Sequence, residues 1–246
     1  MKRAIVLLEV PEGGEVRIDL APFVPAPGGR CGFQGMPEGF HRIEVRGRDL
    51  KVHGWVFVQS NETQVRTCDQ ASGHLLATSR YRAAQVAGLR AEGELRLNEY
   101  PAEANACWRA LVSPLASEGF PPAVRSDPPG KGSQFLRALE GTHGGEWGSF
   151  LQELAWSFLA GHLDQDAGAA RRWRELFECT CAAGPLSATR NAELFLRVAE
   201  LLPAQLSCLA EAERADLSGN LARLAADLAA AEDPALAAAG KGLVAS

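Results

Sequence analysis

The 246-residue sequence has no apolar run that approaches the roughly 18 residues needed to cross a membrane as a helix. Its N-terminus carries Lys2 and Arg3 but only five apolar residues before Glu9, too few for the core of a signal peptide. We therefore expect a soluble, intracellular protein without a membrane partner. If the source is eukaryotic, we expect it in the cytoplasm, the nucleus or both.

Metal and catalytic motifs are also missing. The six cysteines form no Cys-x-x-Cys, and Cys179 and Cys181 are the closest pair, so we expect free thiols rather than a zinc ribbon or disulfides. No Gly-x-Ser-x-Gly or His-Glu-x-x-His occurs, and no Gly-x-Gly-x-x-Gly follows a predicted strand. Gly130 and Lys131 lack the earlier glycine of a phosphate-binding loop, because Arg125 stands there. We predict no catalytic residue, no cofactor and no metal, and hence a protein that is not an enzyme.

Positive charge is scarce in the second half of the chain. The net charge is −5, and residues 118–246 hold 11 Lys and Arg against 17 Asp and Glu. Because nucleic-acid affinity depends largely on neutralising phosphates with Lys and Arg, this balance disfavours a direct nucleic-acid site. It suits a protein partner, and a basic one in particular.

The apolar pattern divides the chain into two parts. Alternating or continuous apolar residues predict strands at 4–10, 16–20, 43–46, 52–58 and 65–69. Residues 23–32 are rich in proline and glycine and predict a loop, 94–97 a strand, and 101–115 a helix. These elements indicate a β-rich, sandwich-like domain at residues 1–117.

The rest of the chain has helical periodicity. A Pro- and Gly-rich segment at 118–133 predicts a linker, and residues 134–246 predict an all-helical domain, which gives an α+β protein. Amphipathic helices are expected at 146–163, 169–181 and 189–202, then a helix through Leu217 and Leu228. A last short helix is expected with Asp233 as N-cap and Gly240 at its end.

Two tryptophans in this part have different expected roles. Trp173 lies on the apolar stripe of its helix, so we expect it in the core, where truncation costs roughly 3–5 kcal/mol. Trp156 lies opposite the stripe of Phe150, Leu154 and Phe158. Either its helix is buried on all sides, or Trp156 is an exposed anchor at a protein interface.

Several groups of residues resemble motifs of the A1 cistron splicing factor family. The first resembling motif places a proline and a glycine before an isoleucine–aspartate pair, and the second is a proline–glycine turn followed by histidine. The third and fourth are a phenylalanine–leucine pair with a later tryptophan, and a Glu-Leu-Phe-Leu segment. The matching residues are Pro11, Gly13, Ile18 and Asp19; Pro37, Gly39 and His41; Phe158, Leu159 and Trp173; and Glu193, Leu194, Phe195 and Leu196.

The resemblance implies a function that composition and periodicity do not show. Members of that family are non-enzymatic assembly factors. They bind the central scaffold protein of the spliceosome, through its RNase H-like domain, during maturation of the particle. The alternative is a protein-binding module of the same fold with an unrelated partner, bacterial sources included. For His41 we predict a structural histidine, hydrogen-bonded near the Pro37–Gly39 turn. An enzyme would instead need a polar pocket that the sequence does not announce, and a buried His41 beside Asp19 or Cys68 in a deep cleft would favour that alternative.

Overall fold

The computed structural model describes residues 2–26, 29–59, 63–95, 97–116, 135, 139, 143 and 145–244. The chain folds into two compact units, residues 1–109 and 110–246. The predicted linker at 118–133 lies outside the described residues, so the predicted domain boundaries stay predictions. The predicted fold class is confirmed, because strands occupy the N-terminal part and helices the C-terminal part.

Nine strands of the described part form one mixed sheet, which curves into a half-barrel. Their order across the sheet is β3-β2-β5-β6-β8-β7-β1-β4-β9. Helix α1 (Arg80–Ala91) follows the eighth strand, and a 3-10 turn (Glu103–Asn105) follows the ninth. The strands are β1 (Ala4–Val10), β2 (Glu15–Ile18), β3 (Val24–Pro25), β4 (Gly29–Gln34), β5 (Gly39–Arg46), β6 (Lys51–Val58), β7 (Thr63–Asp69), β8 (His74–Ala77) and β9 (Asn98–Glu99).

Strand β1 is apolar from Ala4 to Leu8, where both of its faces are buried, and Glu9 near its end is exposed. It pairs antiparallel with β4 and parallel with β7. Since side chains alternate along a strand, Ile5 and Leu7 join the main core, while Val6 and Leu8 form a second core that α1 covers through Val86. A continuous apolar run is typical of a strand buried in this way.

Three predictions in this unit are wrong in detail. Residues 24–25 and 29–32, predicted as part of a loop, belong to β3 and β4. A Cβ at Gly32 would lie 2.0 Å from the carbonyl oxygen of Ile5, so glycine is needed for the close approach of β1 rather than for a turn. The predicted strand at 94–97 is instead β9, which pairs with β4. The predicted helix at 101–115 becomes the 3-10 turn and a short helix, α2 (Trp108–Val112), because tertiary contacts of Asn105 compete with helix formation.

Helices pack around a central helix in the second unit. Helix α3 contacts α4 and α6, α4 contacts α7, and α8 contacts α6 and α7. Asp166 caps α4 by accepting hydrogen bonds from the backbone N–H groups of Gly168 and Ala169, and Asp233 caps α8 as predicted. The helices are α3 (Trp147–Leu163), α4 (Ala167–Cys181), α5 (Pro185–Arg190), α6 (Ala192–Ser207), α7 (Glu211–Ala229) and α8 (Pro234–Val244).

Two helix boundaries differ from the prediction. The segment predicted as one helix at 189–202 is broken at Asn191, and α6 continues through Pro203 to Ser207. Gly240 does not end α8 but lies inside it. A Cβ there would lie 2.6 Å from the carbonyl oxygen of Ala225 and 2.6 Å from the backbone nitrogen of Ala229, so this glycine lets α7 and α8 cross closely.

All six cysteines are free thiols, as predicted. Burial raises the pKa of Cys31, Cys68 and Cys181 to about 12 and that of Cys179 to about 11, so these four remain protonated and unreactive near neutral pH. Within the described ranges, no helix is long and apolar enough to cross a membrane.

Candidate functional site

Asp19 and His41, which come from two different resembling motifs, meet in the interior of the first unit. Strand β2 ends at Ile18, and Asp19 follows with a positive φ of 54°, which turns the chain. Its backbone N–H donates to the carbonyl oxygen of Arg42, and its Oδ1 accepts from the backbone N–H of Arg42. Asp19 therefore holds the start of β5 after the β2–β5 ladder itself has ended.

The imidazole of His41 lies between Asp19 and the turn before β5. Its Nδ1 is 2.8 Å from Oδ2 of Asp19, and its Nε2 is 3.1 Å from the carbonyl oxygen of Pro37. Gly39, which lies between Pro37 and His41 in the sequence, has a φ of +127°, and a residue with a side chain rarely adopts this angle. The proline and glycine of this motif thus shape the turn that brings a carbonyl oxygen to the histidine.

Two residues that follow β9 complete the cluster. The hydroxyl of Tyr100 donates to Oδ2 of Asp19 over 2.8 Å. Asn105 accepts from the backbone N–H of Leu20 at 2.7 Å and donates to the carbonyl oxygen of Pro101. Three stretches that lie far apart in sequence are therefore tied together by polar contacts. Trp108 extends the cluster by donating its Nε1–H to the carbonyl oxygen of Phe40 over 2.8 Å.

The contacts of His41 determine where its protons lie. A carbonyl oxygen only accepts, so Nε2 must carry the hydrogen that points to Pro37. Burial raises the pKa of Asp19, while hydrogen bonds from His41, Arg42 and Tyr100 oppose that rise. Burial and the nearby Asp19 raise the pKa of Tyr100, which keeps its phenol protonated and able to donate.

This arrangement contains the histidine–carboxylate pair of many general bases, but it is sealed. Asp19 and His41 are each 1 % exposed. A general base must reach the proton that it abstracts directly or through one water molecule, and both ring nitrogens of His41 are already engaged by protein groups. His41 is buried beside Asp19, as the enzyme alternative describes, but protein groups engage both ring nitrogens and seal the pair from solvent. As it stands, the cluster serves to fix the fold.

The resembling residues of the second unit lie on three helices. Phe158 and Leu159 are buried in α3, Trp173 in α4, and Leu194 and Phe195 in α6. Leu196 is half-buried, and Glu193 is exposed in the first turn of α6. In the first unit, Ile18 is buried in the core, whereas Pro11 and Gly13 form the turn after β1. Except for Glu193, the residues in the helical unit are thus packing residues.

Trp173 combines packing with a polar contact. Its ring centroid lies 5.2 Å from that of Phe158 and 5.6 Å from that of Phe177. Its Nε1–H donates to Oε1 of Gln205 at 3.0 Å, and Gln205 donates in turn to the carbonyl oxygen of Leu154 at 3.3 Å. Because these groups come from α3, α4 and α6, Trp173 locks the relative position of the three helices. It lies in the core, as expected.

Trp156 requires a correction. Only 8 % of it is exposed, and α3 is buried on all sides from Phe150 to Ala160 except at Gln152, which is half-buried. The interpretation of Trp156 as an exposed interface anchor is therefore wrong, and the alternative of a helix buried all round describes α3. An amphipathic stripe shows which face is certainly buried, but it does not show whether other helices cover the opposite face.

Two buried ionic clusters have no signature in the sequence. In the second unit, Arg172 donates to Glu153 over 2.8 Å, and Nε2 of His143 lies 3.2 Å from the same carboxylate. In the first unit, Arg42 and Glu44 are each 1 % exposed and paired at 2.9 Å. Charged residues in a strand or on a helix are usually solvated, so only tertiary packing identifies these as buried. Asn105 and Tyr100 were likewise not predicted.

Comparison with known proteins bears on the first unit. Residues 1–120, a little under half of the chain, match the family model of the AAR2 N-terminal domain. This range contains Asp19, His41 and Tyr100. No curated protein matches the chain. The resemblance predicted from the motifs of the first unit is thus confirmed, whereas the motif residues from Phe158 to Leu196 lie beyond the matched range and stay predictions. The chain is related to the AAR2, or A1 cistron splicing factor, family through this N-terminal domain.

Proposed function

We propose that this protein is a non-enzymatic assembly factor that binds the central scaffold protein of the spliceosome through the scaffold's RNase H-like domain. The observation that carries the proposal is the AAR2 N-terminal domain over residues 1–120. The sealed Asp19–His41 pair supports the non-enzymatic part, because neither side chain is open to a substrate. If the source is eukaryotic, such a factor would act in the cytoplasm, the nucleus or both.

The charge of the helical half supports a protein partner. Residues 118–246 carry 17 acidic against 11 basic side chains. Complementary charge raises association rates and suppresses wrong partners, and it is screened by salt. A basic surface on the partner therefore fits this half better than a phosphate backbone does.

The first test is affinity purification of the tagged full-length protein from its own host, followed by mass spectrometry. Recovery of the scaffold protein at moderate salt supports the proposal. Recovery of an unrelated partner, or a host that has no spliceosome, supports the alternative, which is a protein-binding module of the same fold with a different partner.

The second test is direct binding between purified components. Isothermal titration of the full chain with the scaffold's RNase H-like domain should give a saturable interaction. Gln substitutions at exposed acids of the helical half, such as Glu193 and Glu200, should weaken it if the acidic surface takes part. The matched control is Glu9→Gln, which removes the same charge from an exposed residue of the strand-rich unit. No binding of the isolated scaffold domain at micromolar concentrations would contradict the proposal.

A further inference from the structure

Four cationic side chains surround one buried carboxylate on a face of the sheet in the first unit. Glu44, in β5, is 1 % exposed. Its Oε2 accepts from Arg17 at 2.5 Å and from Arg42 at 2.9 Å. Its Oε1 accepts from Arg46 at 2.8 Å and lies 3.7 Å from Nζ of Lys51. The cluster therefore already coordinates one small oxyanion, the carboxylate of Glu44.

The positive charge of this cluster exceeds what Glu44 can balance. Arg42 is buried beside Glu44, and Arg17, Arg46 and Lys51 also lie within 4 Å of this single carboxylate. Glu15 lies opposite Arg46 in the β2–β5 ladder, and among the described residues it forms no ion pair within 4 Å. Cations that approach the same carboxylate repel one another, and a second anion would relieve that repulsion.

The side chains of Arg17, Arg46 and Lys51 are partly exposed to solvent, and contacts with neighbouring groups restrain them. The side chains of Arg46 and Lys51 are 47 % and 46 % exposed, and that of Arg17 is 24 % exposed. The guanidinium groups of Arg17 and Arg46 lie over the ring of Phe23, 4.7 Å and 3.9 Å from its centroid. Nε of Arg17 is buried and has no hydrogen-bond partner in the described part of the chain. Side chains held in this way lose little freedom when a ligand binds.

We propose that Arg17, Arg46 and Lys51 bind the phosphate group of a phosphorylated protein segment. A phosphate group carries nearly two negative charges and three acceptor oxygens, and guanidinium groups match its geometry with paired donors. Three cations grouped closely around one carboxylate suit such a compact dianion better than carboxylates spaced along a chain.

A protein segment fits this site better than a nucleic acid. Nucleic acids are bound by basic surfaces that follow successive phosphates and by aromatic rings on which bases stack. Here the cations form a single compact group, and both arginines cover the Phe23 ring, the aromatic side chain of the cluster. The chain as a whole also carries a net charge of −5.

The test is binding of a short labelled glycine–serine peptide with two phosphoserines to the full-length protein, measured by fluorescence anisotropy at fixed ionic strength. The peptide should bind, its unphosphorylated form should not, and inorganic phosphate should compete better than chloride. Arg46→Gln with Lys51→Gln should weaken binding about tenfold or more, since two charge-assisted contacts are lost. The matched control is Arg171→Gln with Arg174→Gln, which removes two exposed cations from the helical unit and should leave the affinity unchanged.

Three outcomes would overturn the proposal. These are equal binding of both peptide forms, equal losses in the two double variants, and tighter binding of a single-stranded oligonucleotide that depends on the same residues. Circular dichroism checks that the variants fold, and Lys51→Gln alone serves if the double variant does not. None of these outcomes depends on the spliceosomal scaffold, so failure of the proposed function would leave this inference standing.

Discussion

Glu44→Gln provides a direct test of how the buried carboxylate stabilises the first unit. The substitution keeps the shape of the side chain but removes its charge, and it leaves the guanidinium of Arg42, which is 1 % exposed, without its carboxylate. Breaking a buried ion pair by removing one partner typically costs about 3–5 kcal/mol. We expect the variant to lose a free energy of unfolding of this size at pH 7.

The loss should depend on pH in a defined direction. Burial alone would raise the pKa of Glu44, but hydrogen bonds from Arg42, Arg17 and Arg46 outweigh burial and lower it from 4.5 to about 2. Because the pKa is lower in the folded state, this contribution to stability is complete above about pH 4.5 and is lost as the pH falls towards 2. A lowering of this size corresponds to about 3 kcal/mol. The gap between wild type and Glu44→Gln should therefore shrink by about 2 kcal/mol between pH 7 and pH 3, and by about 3 kcal/mol once the pH reaches 2.

Hydrogen exchange in increasing urea, followed on peptides from β5 at pH values between 7 and 3, separates this effect from unfolding of the helical unit. The control is Glu9→Gln, which makes the same chemical change in an exposed pair with Arg82 and should cost no more than about 1 kcal/mol at any of these pH values. A gap between wild type and Glu44→Gln that stays constant from pH 7 to pH 3 would refute the reasoning.

Three further substitutions test the packing. Trp173→Phe keeps an aromatic ring but leaves the amide oxygen of the buried Gln205 without its donor, so urea unfolding of the helical unit should show a loss of about 1–3 kcal/mol. No loss would argue against the hydrogen bond. Gly161→Val should destabilise the same unit by at least about 1–3 kcal/mol, because a Cβ at this position would lie 2.6 Å from the Cα of Ala170 in the next helix. The control is Gly148→Val, because a Cβ there would meet no atom within 4 Å. Tyr100→Phe removes a hydrogen bond to Asp19 and should cost about 1.5–3 kcal/mol in thermal melts, whereas the exposed Tyr81→Phe should cost far less.

The sequence determined the order and the type of most elements. Strand β1 was predicted with its observed bounds because the apolar run Ala4 to Leu8, closed by turn residues after Val10, has few other solutions. Helices α3 and α4 were located through their apolar spacing, and α8 through its Asp233 cap. The motif residues also indicated the family relationship that the N-terminal domain confirms. These features depend on local pattern, which a single sequence carries.

Tertiary structure decided the features that require a distant partner. Residues 29–32 have a loop-like composition, yet they form a strand because β1 satisfies their backbone groups. Gly240 was predicted to end the last helix, yet it lies inside that helix and allows close contact with the preceding one. Whether Trp156 is covered depends on helices elsewhere in the chain, and a one-dimensional pattern does not contain that information.

The polar clusters show most clearly that a sequence pattern does not reveal which distant residues meet in the fold. Asp19 and His41 could be singled out as motif residues, but Tyr100, 81 residues after Asp19, could not be connected with them before the strands were placed. Glu44 alternates with apolar residues as a solvent-facing strand residue does, and only the converging arginines from β2 and β5 make it a buried anion. The physical reason is that burial of a charge depends on which partners the fold brings within a few ångströms, whereas local propensity depends on neighbours in the chain.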